Sequence, residues 1–184
     1  MASSLALHDG PWTEDDLASL PESQRYELLA GSLVVSPPPP PLHQRTSFML
    51  ASALEARVPS GLIVIEATGV RLDGGSVFIP DVLVAEREPA LANRSGILEA
   101  SLVRLVVEIV SPGSGAKDRL TKPSLYAQSG IPAFWRVELD DGPSVYAYRL
   151  DGTSYVEVAA GRPGARMILS DPFPVTFDPA DLRP

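Results

Sequence analysis

The sequence predicts a single mixed α/β domain, and three observations carry that prediction. Its 184 residues, 45% of them hydrophobic and 21% charged, have the size and make-up of one soluble globular unit. Helix-period and strand-period runs alternate along the chain, and the valine-rich stretch from Leu102 to Val110 reads as a central strand. Neither an internal repeat nor a shift of composition marks a boundary, so residues 1-184 form one unit with a core over about 13-158. A chain of this size buries about 70% of the surface its unfolded form exposes, enough to fold without disulfides or a structural metal.

The elements follow in order. Thr13 ahead of Glu14, Asp15 and Asp16 is a helix-start signal, stopped by Pro21. Two short strands around Ala30-Gly31-Ser32 come next, over Tyr26 to Leu29 and Leu33 to Val35. Five consecutive prolines, Pro37 to Pro41, form a stiff polyproline II connector. From His43 to Val58, Phe48, Leu50, Ala51, Leu54 and Val58 recur at helical spacing.

Beyond Pro59 the texture turns to strands, at Leu62 to Ile65, Gly69 to Leu72 and Val77 to Ala85, with Asp73-Gly74-Gly75 as a hairpin-like turn. Glu88 to Glu99 reads as loop or broken helix. After the central strand, Ser111 to Gly115 is a turn and Asp118 to Gln128 a helix ended by Ser129-Gly130. A meander over Phe134 to Leu139, Val145 to Leu150 and Tyr155 to Val158 closes the core, followed by a proline-broken tail.

Composition excludes several chemistries. Without cysteine there is no disulfide framework, thiolate metal site or cysteine nucleophile, and His8 and His43 are too few and too far apart for a poly-histidine centre. The net charge of −8 argues against a broad basic surface for nucleic acid. Thirteen of the 15 basic residues are arginine, and the two lysines are Lys117 and Lys122. With no basic n-region at the N-terminus and no run of about 18 apolar residues, the chain reads as cytoplasmic, with no membrane partner.

Two acids sit where strands should bury carbon: Asp81, between Ile79-Pro80 and Val82-Leu83, and Glu108, inside Val106-Val107-Glu108-Ile109-Val110. A buried unpaired carboxylate costs several kcal/mol, so each needs a partner, a raised pKa or a cation. Arg71 and Arg104 are candidate partners. Alternatively, two acids on neighbouring strands can jointly hold a hard divalent ion such as Mg²⁺ or Mn²⁺.

These residues, with Arg25-Tyr26-Glu27-Leu28-Leu29, Ser36-Pro37, His43, Pro80-Asp81-Val82, Val107 to Pro112, Asp118, Lys122, Tyr126, Gly130-Ile131-Pro132 and Phe134-Trp135, resemble in order and spacing the Uma2 family, formerly DUF820. The resemblance implies a restriction-endonuclease-like PD-(D/E)XK nuclease fold, an α+β mixed sheet with flanking helices and a C-terminal β meander. It implies Asp81 and Glu108, 27 positions apart, as metal ligands together with the backbone carbonyl of Ile109. The motif's lysine slot, two residues after the acid, holds Val110 here, and the resemblance assigns the ammonium to Lys122 on the next helix. It makes Glu27 an accessory acid.

Spacing adds to this set. Asp118, Lys122 and Tyr126 follow at intervals of four, so a continuous helix places them on one face. Pro123 tests that helix; if it does not begin near Lys122, Lys117 becomes the substitute. His43 could contact phosphate, but a histidine opening a surface helix is more often a solvated or capping residue. The activity the resemblance implies is Mg²⁺- or Mn²⁺-dependent hydrolysis of DNA phosphodiester bonds by an endonuclease leaving 5′-phosphate and 3′-hydroxyl ends. Two alternatives stay open: a catalytically silent nuclease-fold module that binds or regulates, and a hydrolase of another phosphoester. A homodimer, concentrating Arg45, Arg57 and Arg119 in a groove, would let one site per chain cut both strands.

Overall fold

The computed structural model describes residues 8–21, 24–111 and 117–183. In chain order the elements are α1 (Glu14–Leu17), β1 (Arg25–Leu29), β2 (Ser32–Ser36), α2 (Pro41–Glu55), β3 (Leu62–Glu66), β4 (Gly69–Arg71), β5 (Val77–Phe78), β6 (Val82–Glu86), α3 (Arg87–Ala92), β7 (Ile97–Glu99) and β8 (Val103–Ile109). Then follow a π-helical turn (Lys117–Thr121), α4 (Lys122–Gln128), β9 (Ala133–Glu138), β10 (Ser144–Asp151), β11 (Ser154–Gly161), β12 (Met167–Leu169) and β13 (Val175–Phe177). The expected turn from Ser111 to Gly115 falls, beyond its first residue, outside the described residues.

A six-stranded mixed sheet in the order β11-β10-β9-β8-β6-β3 forms the centre, parallel at β8–β9 and antiparallel elsewhere. Its strands alternate side chains between two cores. Toward α2, Val82, Val84, Leu105, Val107, Ile109, Trp135 and Val137 pack on Leu50 and Leu54, and the β12–β13 hairpin adds Met167, Leu169, Val175 and Phe177. Toward α4, Leu83, Ala85, Val106 and Phe134 meet Tyr126 and the smaller β2-β1-β5-β4-β7 sheet through Val70, Phe78 and Leu98. The proline-broken tail thus seals one core.

Local chemistry explains the element ends. The Asp16 carboxylate accepts from the Thr13 N–H at 2.8 Å and hydroxyl at 2.6 Å, fixing the start of α1. Ala30 and Gly31, both at positive φ, turn β1 tightly into β2. The stretch from Val77 to Ala85 is two strands in different sheets, because Pro80 lacks the N–H a ladder needs, and the chain crosses between sheets at Ile79-Pro80-Asp81. The segment from Glu88 to Glu99 resolves into α3, a turn and β7. Phe48, expected on the apolar face of α2, is 51% exposed and lies under the Arg45 guanidinium instead. Among the described residues no helix is long and apolar enough to cross a membrane.

Candidate active site

Where β6 and β8 begin and end, one cavity of about 320 Å³ gathers the residues that the sequence had scattered. The register sets Val82 opposite Val107, so Asp81 and Glu108 come next on facing antiparallel strands. The Asp81 N–H donates to the Val107 carbonyl at 3.1 Å, and the Ile109 N–H donates to Asp81 Oδ2 at 2.8 Å. Pro80 holds Asp81 at the strand's mouth, and the alternation of β8 turns Glu108 away from Val107 and Ile109, toward α4.

Both acids are buried, Asp81 at 7% and Glu108 at 2% exposure, and each has its cation. The partners are not Arg71 and Arg104. Arg71 pairs with Glu14 and Glu99, and Arg104 with Glu86, because those arginines sit toward the solvent. Arg25 lies 3.2 Å from Asp81 Oδ1, and Lys122 Nζ lies 3.0 Å from Glu108 Oε1. The Tyr126 hydroxyl donates to the same Oε1 at 2.6 Å.

Lys122 is 6% exposed and central to the cluster, with Glu27 Oε1 at 3.0 Å and Asp118 Oδ1 at 3.7 Å. Glu27 also accepts from the Ile79 N–H at 2.9 Å, which ties β1 to the crossing segment. The predicted single helix is a π-helical turn followed by α4, and it still brings Asp118, Lys122 and Tyr126 together. Pro123 is the second residue of α4 and follows directly on the π-helical turn, with Thr121 already in the right-handed helical region. The side chain of Lys117 lies outside the described residues. Val110 fills the lysine slot as a buried residue whose N–H bonds to the Val137 carbonyl.

His43 is not a solvated cap. It is buried, and its Nε2 lies 2.9 Å from the Ile109 carbonyl and 3.2 Å from Asp81 Oδ2, both acceptors, so this nitrogen carries the proton. Its Nδ1 is buried, with no hydrogen-bond partner among the described residues. Arg25 is the member the sequence did not single out. The signal available was its position two residues before Glu27, on the same side of β1.

The electrostatics are those of crowded carboxylates. Burial pushes Glu108 up, Lys122 draws it down, and Asp81, Asp118 and Glu27 add to the rise, leaving it at about 8. Burial also acts to raise Asp81, but the hydrogen bond and charge of His43, the Arg25 guanidinium and the Ile109 N–H outweigh it, and its pKa is lowered. Burial pulls Lys122 down, yet Glu108, Glu27 and Asp118 hold it above the usual lysine range. Burial, with Glu108 beside it, raises Tyr126 well above an ordinary phenol.

No set of three or more histidine or acidic side chains among the described residues is arranged as a ready metal cage. The candidate donors Asp81, Glu108 and Ile109 line the same cavity as Glu27 and Asp118. Carboxylate and carbonyl oxygens are the hard donors a small divalent cation takes, and Arg25 and Lys122 are the cations that stand against them here.

A mixed sheet carrying an acid at the start of one strand and a second acid inside its neighbour, with a buried lysine beside them, is the restriction-endonuclease-like fold. Residues 14–182 match the family model Uma2, described as "Putative restriction endonuclease", and the chain belongs to that family. The fold is similar to the crystal structure of "a putative nuclease belonging to DUF820 from Anabaena variabilis ATCC 29413", with a TM-score of 0.73 and 19% identity over 94% of this chain and 97% of that one. No curated protein matches the sequence.

Proposed function

We propose that the protein is a divalent-cation-dependent endonuclease that hydrolyses DNA phosphodiester bonds. The observation that supports this most is the convergence of Asp81, Glu108 and Lys122, from two strands and a helix, on one cavity. Asp81, Glu108 and the Ile109 carbonyl would hold Mg²⁺ or Mn²⁺, which when bound supplies Lewis-acid polarisation of the scissile phosphate.

The chain's own residues have distinct tasks in this reading. Lys122 keeps its proton in the company of Glu108, Glu27 and Asp118, so it serves as a fixed positive charge for the developing phosphorane and not as the base. Arg25, on the other rim of Asp81, offers a second cationic donor to a non-bridging oxygen. Tyr126 and Glu27 position Glu108 and Lys122, while His43 fixes Asp81 and the Ile109 carbonyl in one geometry. Under a catalytically silent reading, Arg25 and Lys122 would permanently neutralise the acids, and the ion pairs they form are what favours it.

Plasmid nicking separates the two. With Mg²⁺ or Mn²⁺ the wild type nicks DNA and chelator abolishes it, while Asp81→Asn and Glu108→Gln each lose about 10²-fold or more of the rate. Equal nicking by wild type and both variants assigns the activity elsewhere.

A further inference from the structure

The proline run is left over from the nuclease reading, and it is not merely a connector. Pro37 to Pro40, with Val35 and Ser36, make one wall of the cavity that holds Asp81, Glu108 and Lys122. Pro37, Pro38 and Pro40 are exposed, and Val35 at the same rim is 44% exposed. A proline has no N–H, so Pro37 to Pro40 present rings and none of the backbone donors that commonly cradle phosphate. The site is therefore two-sided, with charged groups on its floor and a stiff apolar rim above them.

The floor is recessed. Glu27, Asp81, Glu108, Asp118 and Lys122 are all buried, and the cavity above them, about 320 Å³, is at the small end of the roughly 300–1,000 Å³ of ligand sites. A phosphodiester must enter this recess to meet the carboxylates. In an intact duplex each phosphate rides on a broad rod with its base stacked away inside. An unpaired strand can bend a phosphate inward and lay the neighbouring base on the rim. Charge points the same way: a duplex carries one negative charge per about 1.7 Å of axis, twice the density of one strand, and this chain has a net charge of −8.

We propose, on the basis of the nuclease reading above, that the site acts on unpaired DNA: a single strand, or the frayed or branched part of a duplex, seated with its phosphodiester on the charged floor and a base against Val35 and Pro37 to Pro40. Recognition through rings and methyl groups carries no hydrogen-bond code, so the preference is for structure and not for sequence.

Fluorescence anisotropy of a short labelled oligonucleotide, single-stranded or annealed to its complement, tests this with Ca²⁺ as the ion. The single strand is expected to bind about tenfold tighter, the factor that about 1.4 kcal/mol of added contact gives. Val35→Ser and Pro38→Gly, both at exposed positions, each weaken the single strand about threefold or more and leave the duplex unchanged, with thermal midpoints reporting that both variants are folded. Duplex binding equal to or tighter than single-strand binding overturns the proposal, as does binding of neither. Hydrolysis of the base-free diester bis(p-nitrophenyl) phosphate with Mn²⁺, run in parallel, separates the two ideas. Diester hydrolysis without a single-strand preference leaves the nuclease reading standing and removes this one. Single-strand preference without hydrolysis of any substrate does the reverse.

Discussion

The two faces of the six-stranded sheet solve burial in opposite ways. Toward α2 the core is apolar from Leu50 and Leu54 through Val84, Leu105 and Val107 to Trp135 and Phe177, and the buried polar side chains of α2 are confined to His43, Thr46 and Ser47 on its first turns. Toward α4, the end of the sheet at Glu108 buries an ammonium, a phenol and three further carboxyl groups within one cluster and its rim. Strand β8 holds both solutions at once, with Leu105, Val107 and Ile109 on one side and Glu108 on the other. Fully burying an apolar side chain contributes about 1.5–3 kcal/mol, whereas each buried ion costs several kcal/mol that pairing must offset. The charged end is thus poorly explained by stability and fits the role proposed for it.

Substitutions on the two faces should fail differently. Trp135→Ala, 1% exposed and stacked near Phe177, is expected to cost about 3–5 kcal/mol in urea unfolding, and no change on the opposite face should restore it. Lys122→Met should also cost about 3–5 kcal/mol, because it leaves Glu27, Glu108 and Asp118 crowded without their ammonium. Adding Glu108→Gln to that variant should regain a large part of the loss. If the double variant is no more stable than Lys122→Met, the polar face is held by packing after all.

A smaller effect separates the faces by pH. Glu108 titrates at about 8 in the folded chain against 4.5 ordinarily, so between these values the folded form holds a proton that the unfolded one has lost. Its contribution to stability in chelator is complete below about 4.5 and is lost as pH rises through about 8. Asp81, with its pKa lowered, contributes in the opposite sense, and its share is lost on acidification. A cation must displace the Glu108 proton, so Mn²⁺ affinity, followed by electron paramagnetic resonance, should climb up to tenfold per pH unit and level off above about 8. In Glu108→Gln this climb should vanish; a wild-type affinity flat from pH 6 to 8 would remove Glu108 from the ligand set.

Much of this was legible in the sequence, because hydrophobic periodicity survives in the fold. The runs at α2, β8 and the β9–β11 meander stand where their patterns place them, and the isolated acids Asp81 and Glu108 line one cavity. What could not be read is tertiary. Nothing local to Arg25 says that a hairpin will carry it from the first third of the chain to Asp81, and a histidine opening a helix does not reveal that Ile109 will cover it. The break at Pro80 was visible as a proline, but only the second sheet explains why the chain changes partners there. The π-helical turn before α4 was likewise not read from the helical spacing of Asp118, Lys122 and Tyr126.

The most direct measurement is the anomalous scattering of a crystal soaked in Mn²⁺. A divalent site built from these residues predicts a peak bounded by Asp81, Glu108 and the Ile109 carbonyl, with the Arg25 guanidinium moved off Asp81. Density without a peak there, with Arg25 and Lys122 still seated on the two carboxylates, would contradict a cation-dependent nuclease and leave the ion pairs as the site's final state.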